Sequence, residues 1–247
     1  MSQAIPPQIQ AVLERKYYAI VEACKCRAGC QKCARTKRLY VDLATAQIPV
    51  KYWDYKLKDL EWDEIAAAKV QKYAKKLEEA RTRGIGLFMW GHGGVGKSLG
   101  ACLVLKEALK KGFTARFTTL SQTIAMSTDG LYDREAREAF QHEVLQVDFL
   151  VLDDIDKTYR SEKTRFLDSQ TDAVFRQRAN FNLPVIVTSN KPRSEVASVT
   201  DAQGEIDLYG IGLLELFAEH LIDIVFTKTI SRRQAVNVQE LEQFLGE

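Results

Sequence analysis

The segment Gly91-His92-Gly93-Gly94-Val95-Gly96-Lys97-Ser98 constrains this chain more than any other, because it fits G-x-x-x-x-G-K-[ST] at every position. A glycine-rich backbone can curl its N–H groups around phosphates, provided a strand delivers the loop and a helix opens directly after it. Both are legible here. Residues 85–90 (IGLFMW) read as a strand, and the sequence after Ser98 reads as a helix through about Lys111. The pattern predicts a nucleotide-binding loop made of Gly91, His92, Gly93, Gly94, Val95, Gly96, Lys97, Ser98 and Leu99. Lys97 is expected to reach the β and γ phosphates of the nucleotide, and Ser98 to ligate Mg²⁺. His92 is read as a variable position beside the phosphates.

Two more strand ends supply chemistry. Phe149-Leu150-Val151-Leu152-Asp153-Asp154 is continuously apolar, as a strand buried on both faces must be, and closes on two carboxylates. Ligands of open α/β sheets bind at the carboxyl edge. There Asp153 is expected to hold Mg²⁺ through water, and Asp154 to orient or deprotonate an attacking water. Leu183-Pro184-Val185-Ile186-Val187-Thr188-Ser189-Asn190 ends in a neutral amide, and Asn190 is expected to position a water near the γ-phosphate.

The rest of the chain follows the same alternation. Residues 8–23 read as a short helix striped by Ile9, Val12, Leu13, Ile20 and Val21. A cysteine cluster and then an extended linker through Ile48-Pro49-Val50 follow, since proline disfavours helix in the residue before it. Residues 64–83 read as one helix ending at Gly84. Strands at 85–90, 113–118, 147–152, 184–188 and 222–227 then alternate with helical sequence. The expected fold is α/β, a doubly wound parallel P-loop sheet with a small N-terminal Cys-rich helical module. Three regions result: 1–47 for the module, 48–83 for a linker and helix, and 84–247 for the nucleotide-binding core. No run approaches the roughly 18 apolar residues of a membrane span. The first ten residues lack a basic and then apolar leader, so a cytoplasmic protein without a membrane partner is expected.

Cys24, Cys26, Cys30 and Cys33 fall within ten residues. Thiols of a cytoplasmic chain stay reduced, so this spacing reads as a metal site. Four thiolates can close around Zn²⁺ as a structural centre, and an iron–sulfur cluster, which also takes four, is the alternative. Cys102, among apolar helix neighbours, reads as a core thiol. The net charge of +2 hides an asymmetry: residues 1–83 carry 17 Lys/Arg and 10 Asp/Glu, and residues 84–247 carry 18 and 23. Lys25, Arg27, Lys32, Arg35, Lys37 and Arg38 lie in one stretch without an acid. Part of that charge stabilises thiolates, and the rest suits DNA phosphates or an acidic protein surface.

Taken in order, GHGGVGKS at 91–98, LVLDD at 150–154 and a helix bearing Arg178 just before LPVIVTSN resemble the AAA+ ATPases. More narrowly, they are similar to the bacterial helicase-loader branch of DnaC/DnaI type and to the IstB-type transposition helpers. Ile48-Pro49 before the core and Ser231-Arg232 after the last strand also fit, so the resemblance spans about residues 48–233. It implies ATP hydrolysis, with Asn190 as the sensor 1 residue and Arg232 as a C-terminal arginine that reads the nucleotide, Arg233 being a neighbour able to substitute. Arg178 matches a family arginine that is either structural or faces the next subunit. Some loaders carry an N-terminal zinc module, which favours Zn²⁺ at the four cysteines. Lys157, Tyr159 and Arg160 fall in a region that relatives present to single-stranded DNA, and basic plus aromatic side chains suit stacking and phosphate contact. Many relatives place an arginine before the Leu-Leu-Glu of the last helix, where it reaches the ATP of a neighbouring subunit. Here the stretch is Ile211-Gly212-Leu213-Leu214-Glu215, so turnover is expected to be slow or to use another basic residue such as Arg193. The leading expectation is an oligomeric ATPase that loads a replicative hexameric helicase onto single-stranded DNA. The alternatives are a transposition helper that assembles on duplex and recruits a transposase, and an adaptor switched by ATP.

Overall fold

Short apolar strands with helical sequence between them can bury both faces of a sheet only if helices cover both. The computed structural model, which describes residues 5–24, 26, 30–60, 63–156, 165–196 and 208–228, shows this arrangement. Strands β1 (Gly86–Gly91), β2 (Ala115–Thr119), β3 (Phe149–Asp153), β4 (Val185–Ser189) and β5 (Leu221–Phe226) form one sheet in the order β2-β3-β4-β1-β5. Every pairing is parallel. Successive residues go to opposite faces. Leu87, Met89, Val151 and Ile186 enter one core cluster, and Phe88, Leu150, Leu152, Val185 and Val187 enter the other. The first face is covered by α5 (Lys97–Lys110) and α3 (Glu64–Lys75). The second is covered by α6 (Leu120–Tyr132), α7 (Arg134–Phe140), α8 (Arg165–Asn180) and α10 (Leu208–His220), with the short α9 (Arg193–Val196) beside them. Phe217 of α10 is fully buried, its ring 5.5 Å from Phe88 and 5.0 Å from Phe175.

The front of the chain differs from the sequence reading in two places. Helix α1 (Pro7–Cys24) forms as expected, but the cysteines are followed by a second helix, α2 (Gln31–Thr45), where an extended linker was expected. Its apolar stripe of Leu39, Tyr40, Leu43 and Ala44 belongs to the core face that also takes Ile9, Val12 and Leu13 of α1. The linker begins only after Thr45, and it winds through 3₁₀ turns at Val50–Tyr52 and Leu57–Asp59 where extended chain was expected. Its aromatic anchor is Trp53, 1% exposed, whose Nε1 donates to Ile48 O at 2.7 Å. The Tyr40 ring lies 5.7 Å away. Lys106 of α5 donates to the carbonyls of Trp53 and Tyr55, which fastens this segment onto the core. Ala46 O accepts from Phe117 N at 2.8 Å and so covers part of the β2 edge.

The second difference is a break in the helix expected over 64–83. It divides at Lys76 (φ −108°, ψ 25°) into α3 and α4 (Leu77–Arg83), and α4 ends on Gly84 at φ 66°. The break aims Arg81 at Asp148 (2.7 Å) and at Asn182 O (3.1 Å). Strand β3 starts at Phe149 rather than 147 because the preceding groups have other partners. Val147 O accepts from Arg178 Nη2 at 2.9 Å, and Asp148 N donates to Thr114 Oγ1 at 2.9 Å. No helix among the described residues is long and apolar enough to cross a membrane.

Candidate nucleotide site and cysteine cluster

The chain leaves β1 for β2 on one side and passes from β4 to β5 on the other, so a crevice opens at the carboxyl end of β1. Register places Trp90 beside Ser189 and Gly91 beside Phe226. A Cβ at Gly91 (φ 148°) would lie 2.4 Å from Phe226 O, and Gly94 and Gly96 hold φ 81° and 98°, so only glycine follows this path without strain. Gly96 is the N-cap of α5. At Gly93 a Cβ would meet only Asn190 Oδ1, at 4.0 Å, so the loop is open on the side that faces Asn190. Open backbone at the head of a 14-residue helix is the cradle a polyphosphate requires. His92 and Gly93 are exposed and Ser98 is half-buried in the first turn of α5, while Val95 and Leu99 turn their side chains into the core.

Lys97 joins two of the three sequence motifs. Buried to 5% exposure, its Nζ donates to Gly91 O (2.8 Å), His92 O (2.7 Å) and Asn190 Oδ1 (3.0 Å). The third motif reaches β4 through Thr188. This buried hydroxyl donates to Asp153 Oδ1 at 2.6 Å and accepts from Asp154 N at 2.9 Å. Asp154 itself sits at φ 52°, a left-handed conformation that costs a non-glycine residue on the order of 1 kcal/mol and is held here by its backbone bond to Thr188. A third acid, Asp156, is 3% exposed: its Oδ1 accepts from Asn190 N at 2.9 Å and its Oδ2 from Asn190 Nδ2 at 3.2 Å. Neither Thr188 nor Asp156 was singled out from the sequence. Thr188 lies inside the TSN run and alternation puts it at a strand end, but nothing local marks Asp156, whose partner is 34 residues away.

Two arginines named from the sequence are engaged within the chain. Arg178 is fully buried and donates to the carbonyls of Val144 (2.6 Å), Leu145 (3.3 Å), Val147 (2.9 Å) and Pro184 (2.9 Å), so it does not face another subunit. Burial, with Arg81 nearby, lowers the pKa of this guanidinium, and the ring of carbonyls favours its charged form. Arg193 pairs with Asp223 (2.9 Å) and donates to Phe217 O (2.7 Å) and Leu221 O (2.8 Å), which ties α9 to the end of α10. Ser231, Arg232, Arg233, Lys157, Tyr159 and Arg160 lie outside the described residues.

The four cysteines converge between the end of α1 and the start of α2, with their sulfurs all within 4.8 Å of one another. Cys24 Sγ is 3.7 Å from Cys30 Sγ, and Cys26 Sγ is 3.2 Å from Cys33 Sγ. Zn–S bonds of about 2.3 Å in a tetrahedron put sulfurs about 3.8 Å apart, so this set fits a closed zinc site. Cys30 is also the N-cap of α2, its sulfur accepting from Cys33 N at 3.4 Å. The hydrogen bond from Cys33 lowers the Cys26 pKa to about 6, and the same contact, with burial, raises that of Cys33. Cys102 is buried, and burial pushes its thiol well up, as befits a core residue.

No family model and no curated protein matches the chain. Solved structures do. The crystal structure of DnaI is similar over 75% of this chain and 94% of its own, at TM-score 0.60 and 19% identity. That of the DnaC helicase loader is similar over 72% and 99%, at TM-score 0.58 and 20% identity. The fold is the one seen in these DnaI and DnaC structures. The replication initiator DnaA, in a structure bound to AMPPCP and single-stranded DNA, matches over 72% of this chain and 50% of its own, at TM-score 0.54 and 19% identity. At these identities the similarity speaks for the fold.

Proposed function

We propose that this chain is a cytoplasmic AAA+ ATPase that loads a replicative hexameric helicase onto single-stranded DNA. The observation that carries the reading is the contact of Lys97 with Asn190, with Asp153 and Asp154 fastened alongside through Thr188, on a fold shared with a helicase loader. Residues 91–99 would wrap the phosphates, and Lys97 would exchange the carbonyls of its own loop for the β and γ oxygens. Ser98 and Asp153 would hold Mg²⁺, which supplies charge neutralisation on the phosphates. Asp154 would take the proton of the attacking water as the bond to the ADP oxygen breaks, with Asn190 positioning that water and Arg232 reading the nucleotide. Turnover is expected to be slow, because no arginine lies at 211–215 and Arg193 is bound within its own chain.

The cysteine cluster, filled with zinc, would hold α1 against α2 and present their basic surface to the helicase. Copies of the chain would gather on DNA with ATP, Lys157, Tyr159 and Arg160 contacting the strand. The test is to mix the full chain with a replicative helicase, ATP and a single-stranded circle, and to measure helicase transferred to the DNA. ATP-dependent transfer supports the reading. Filaments on duplex that grow with ATP and capture a transposase, with no effect on the helicase, would establish the transposition helper instead.

A further inference from the structure

Asn190 stands between two groups with fixed hydrogen-bonding character. On one side is the Asp156 carboxylate, only able to accept, and on the other the Lys97 ammonium, only able to donate. An amide between an obligate acceptor and an obligate donor has one satisfied orientation: its NH₂ toward the carboxylate and its carbonyl oxygen toward the lysine. The distances follow that rule, with Nδ2 at 3.2 Å from Asp156 Oδ2 and Oδ1 at 3.0 Å from Lys97 Nζ. The backbone of Asn190 is held by the same carboxylate, its N–H 2.9 Å from Asp156 Oδ1. Asp156 is 3% exposed, so water does not compete for these bonds.

We propose that Asp156 is a positioning residue of the nucleotide site, one that fixes the polarity of the Asn190 amide so that the reacting groups meet its carbonyl oxygen. Asn190 then works as an acceptor. It takes a hydrogen from Lys97 and, when the lysine moves to phosphate, a hydrogen from the attacking water, which turns a lone pair of that water toward the γ-phosphorus. Asp154, as the base, takes the other proton. Without that carboxylate the amide, once the lysine has moved to phosphate, would also present its NH₂ and turn the water the wrong way round. The inference rests on the ATPase reading for its kinetic test and has a second test that does not.

The informative variant is Asp156→Asn. It is close to isosteric, and its carbonyl oxygen can still accept from Asn190 N–H, but its own NH₂ then faces that of Asn190 and drives the amide to flip. Single-turnover hydrolysis should fall about 10- to 100-fold, the scale of a misplaced reacting group, while ATP affinity stays within about twofold. In an Asn190→Ala background the same substitution should cost nothing further, because the group it positions is gone. A carboxylate with a merely structural role would add its loss to that of Asn190→Ala. The second readout is the side-chain amide of Asn190 in ¹⁵N NMR spectra of the full chain, assigned by its loss in Asn190→Ala. Its two protons should be resolved and slow to exchange in the parent, and should shift and exchange faster in Asp156→Ala. Active parent protein with unchanged hydrolysis in Asp156→Asn would overturn the inference and leave the ATPase reading standing. An inactive parent would overturn the ATPase reading, and the amide spectrum would still decide whether Asp156 holds Asn190.

Discussion

Replacing Arg178 tests the packing that shapes the far end of the sheet. Its guanidinium gathers three well-formed carbonyl bonds, to Val144 (2.6 Å), Val147 (2.9 Å) and Pro184 (2.9 Å), in a place with no exposure. Arg178→Met keeps most of the volume and removes every donor. Each buried carbonyl left unpaired costs about 1–3 kcal/mol. Three of them give about 3–9 kcal/mol, and relief of the buried charge offsets part of that. We expect a loss of about 3–5 kcal/mol, a large share of the roughly 5–15 kcal/mol that holds a domain together. At about 2–4 °C per kcal/mol for a chain of this size, the melting temperature should drop by about 10 °C. Arg178→Lys, which keeps a donor and the charge, should lose less. Urea unfolding followed by circular dichroism gives the comparison. Stability within 1 kcal/mol of the parent would refute the carbonyl account. ATP turnover abolished at unchanged stability would instead place this arginine at a neighbouring subunit's nucleotide.

Asp154→Asn should preserve ATP binding and lower turnover, whereas Asp153→Asn should impair the Mg²⁺-dependent steps; equal and full activity in both would remove the strand-end carboxylates from the site. Purified protein should be colourless and contain close to one zinc per chain by metal analysis, lost in Cys30→Ser, whereas a brown protein absorbing near about 400 nm would mean an iron–sulfur cluster. Asp148 titrates below the usual carboxylate range: burial pushes it up, but Arg81 at 2.7 Å and Thr114 N at 2.9 Å outweigh that. Its stabilising contribution is therefore complete above the unfolded pKa of about 3.9 and is lost as pH falls through the lower folded value. Asp148→Asn should accordingly be less stable than the parent at pH 7, with the gap closing in acid on urea unfolding; a gap independent of pH would contradict the ion pair.

Much of this architecture is legible in the residues because periodicity and local chemistry agree. The strand through Leu150 and Leu152 is apolar on both faces and lies inside the sheet, and the glycines at 91, 94 and 96 stand where the loop needs positive φ. What escaped has physical reasons. Helix α2 starts on a cysteine, not on one of the side chains that ordinarily cap a helix, and its metal-ligand spacing obscured the stripe of Leu39, Tyr40, Leu43 and Ala44. The break at Lys76 involves neither glycine nor proline, and the bond it permits, from Arg81 to Asp148, joins residues 67 apart in the chain. Asp156 and Thr188 act across strands, and a contact over 34 residues leaves no mark on local spacing. Arg178 could be named from a family resemblance, but its surroundings of backbone carbonyls are a property of the folded chain.

The central claim is that residues 91–99 bind the phosphates of ATP. Titration calorimetry of the full chain with ATP and Mg²⁺, set beside Lys97→Ala, tests it most directly. Lys97 bonds chiefly to its own loop and to Asn190, so the variant should keep its circular dichroism spectrum while losing most of its ATP affinity. The parent should show one site per chain. Equal affinity in the two proteins would contradict the assignment of the loop.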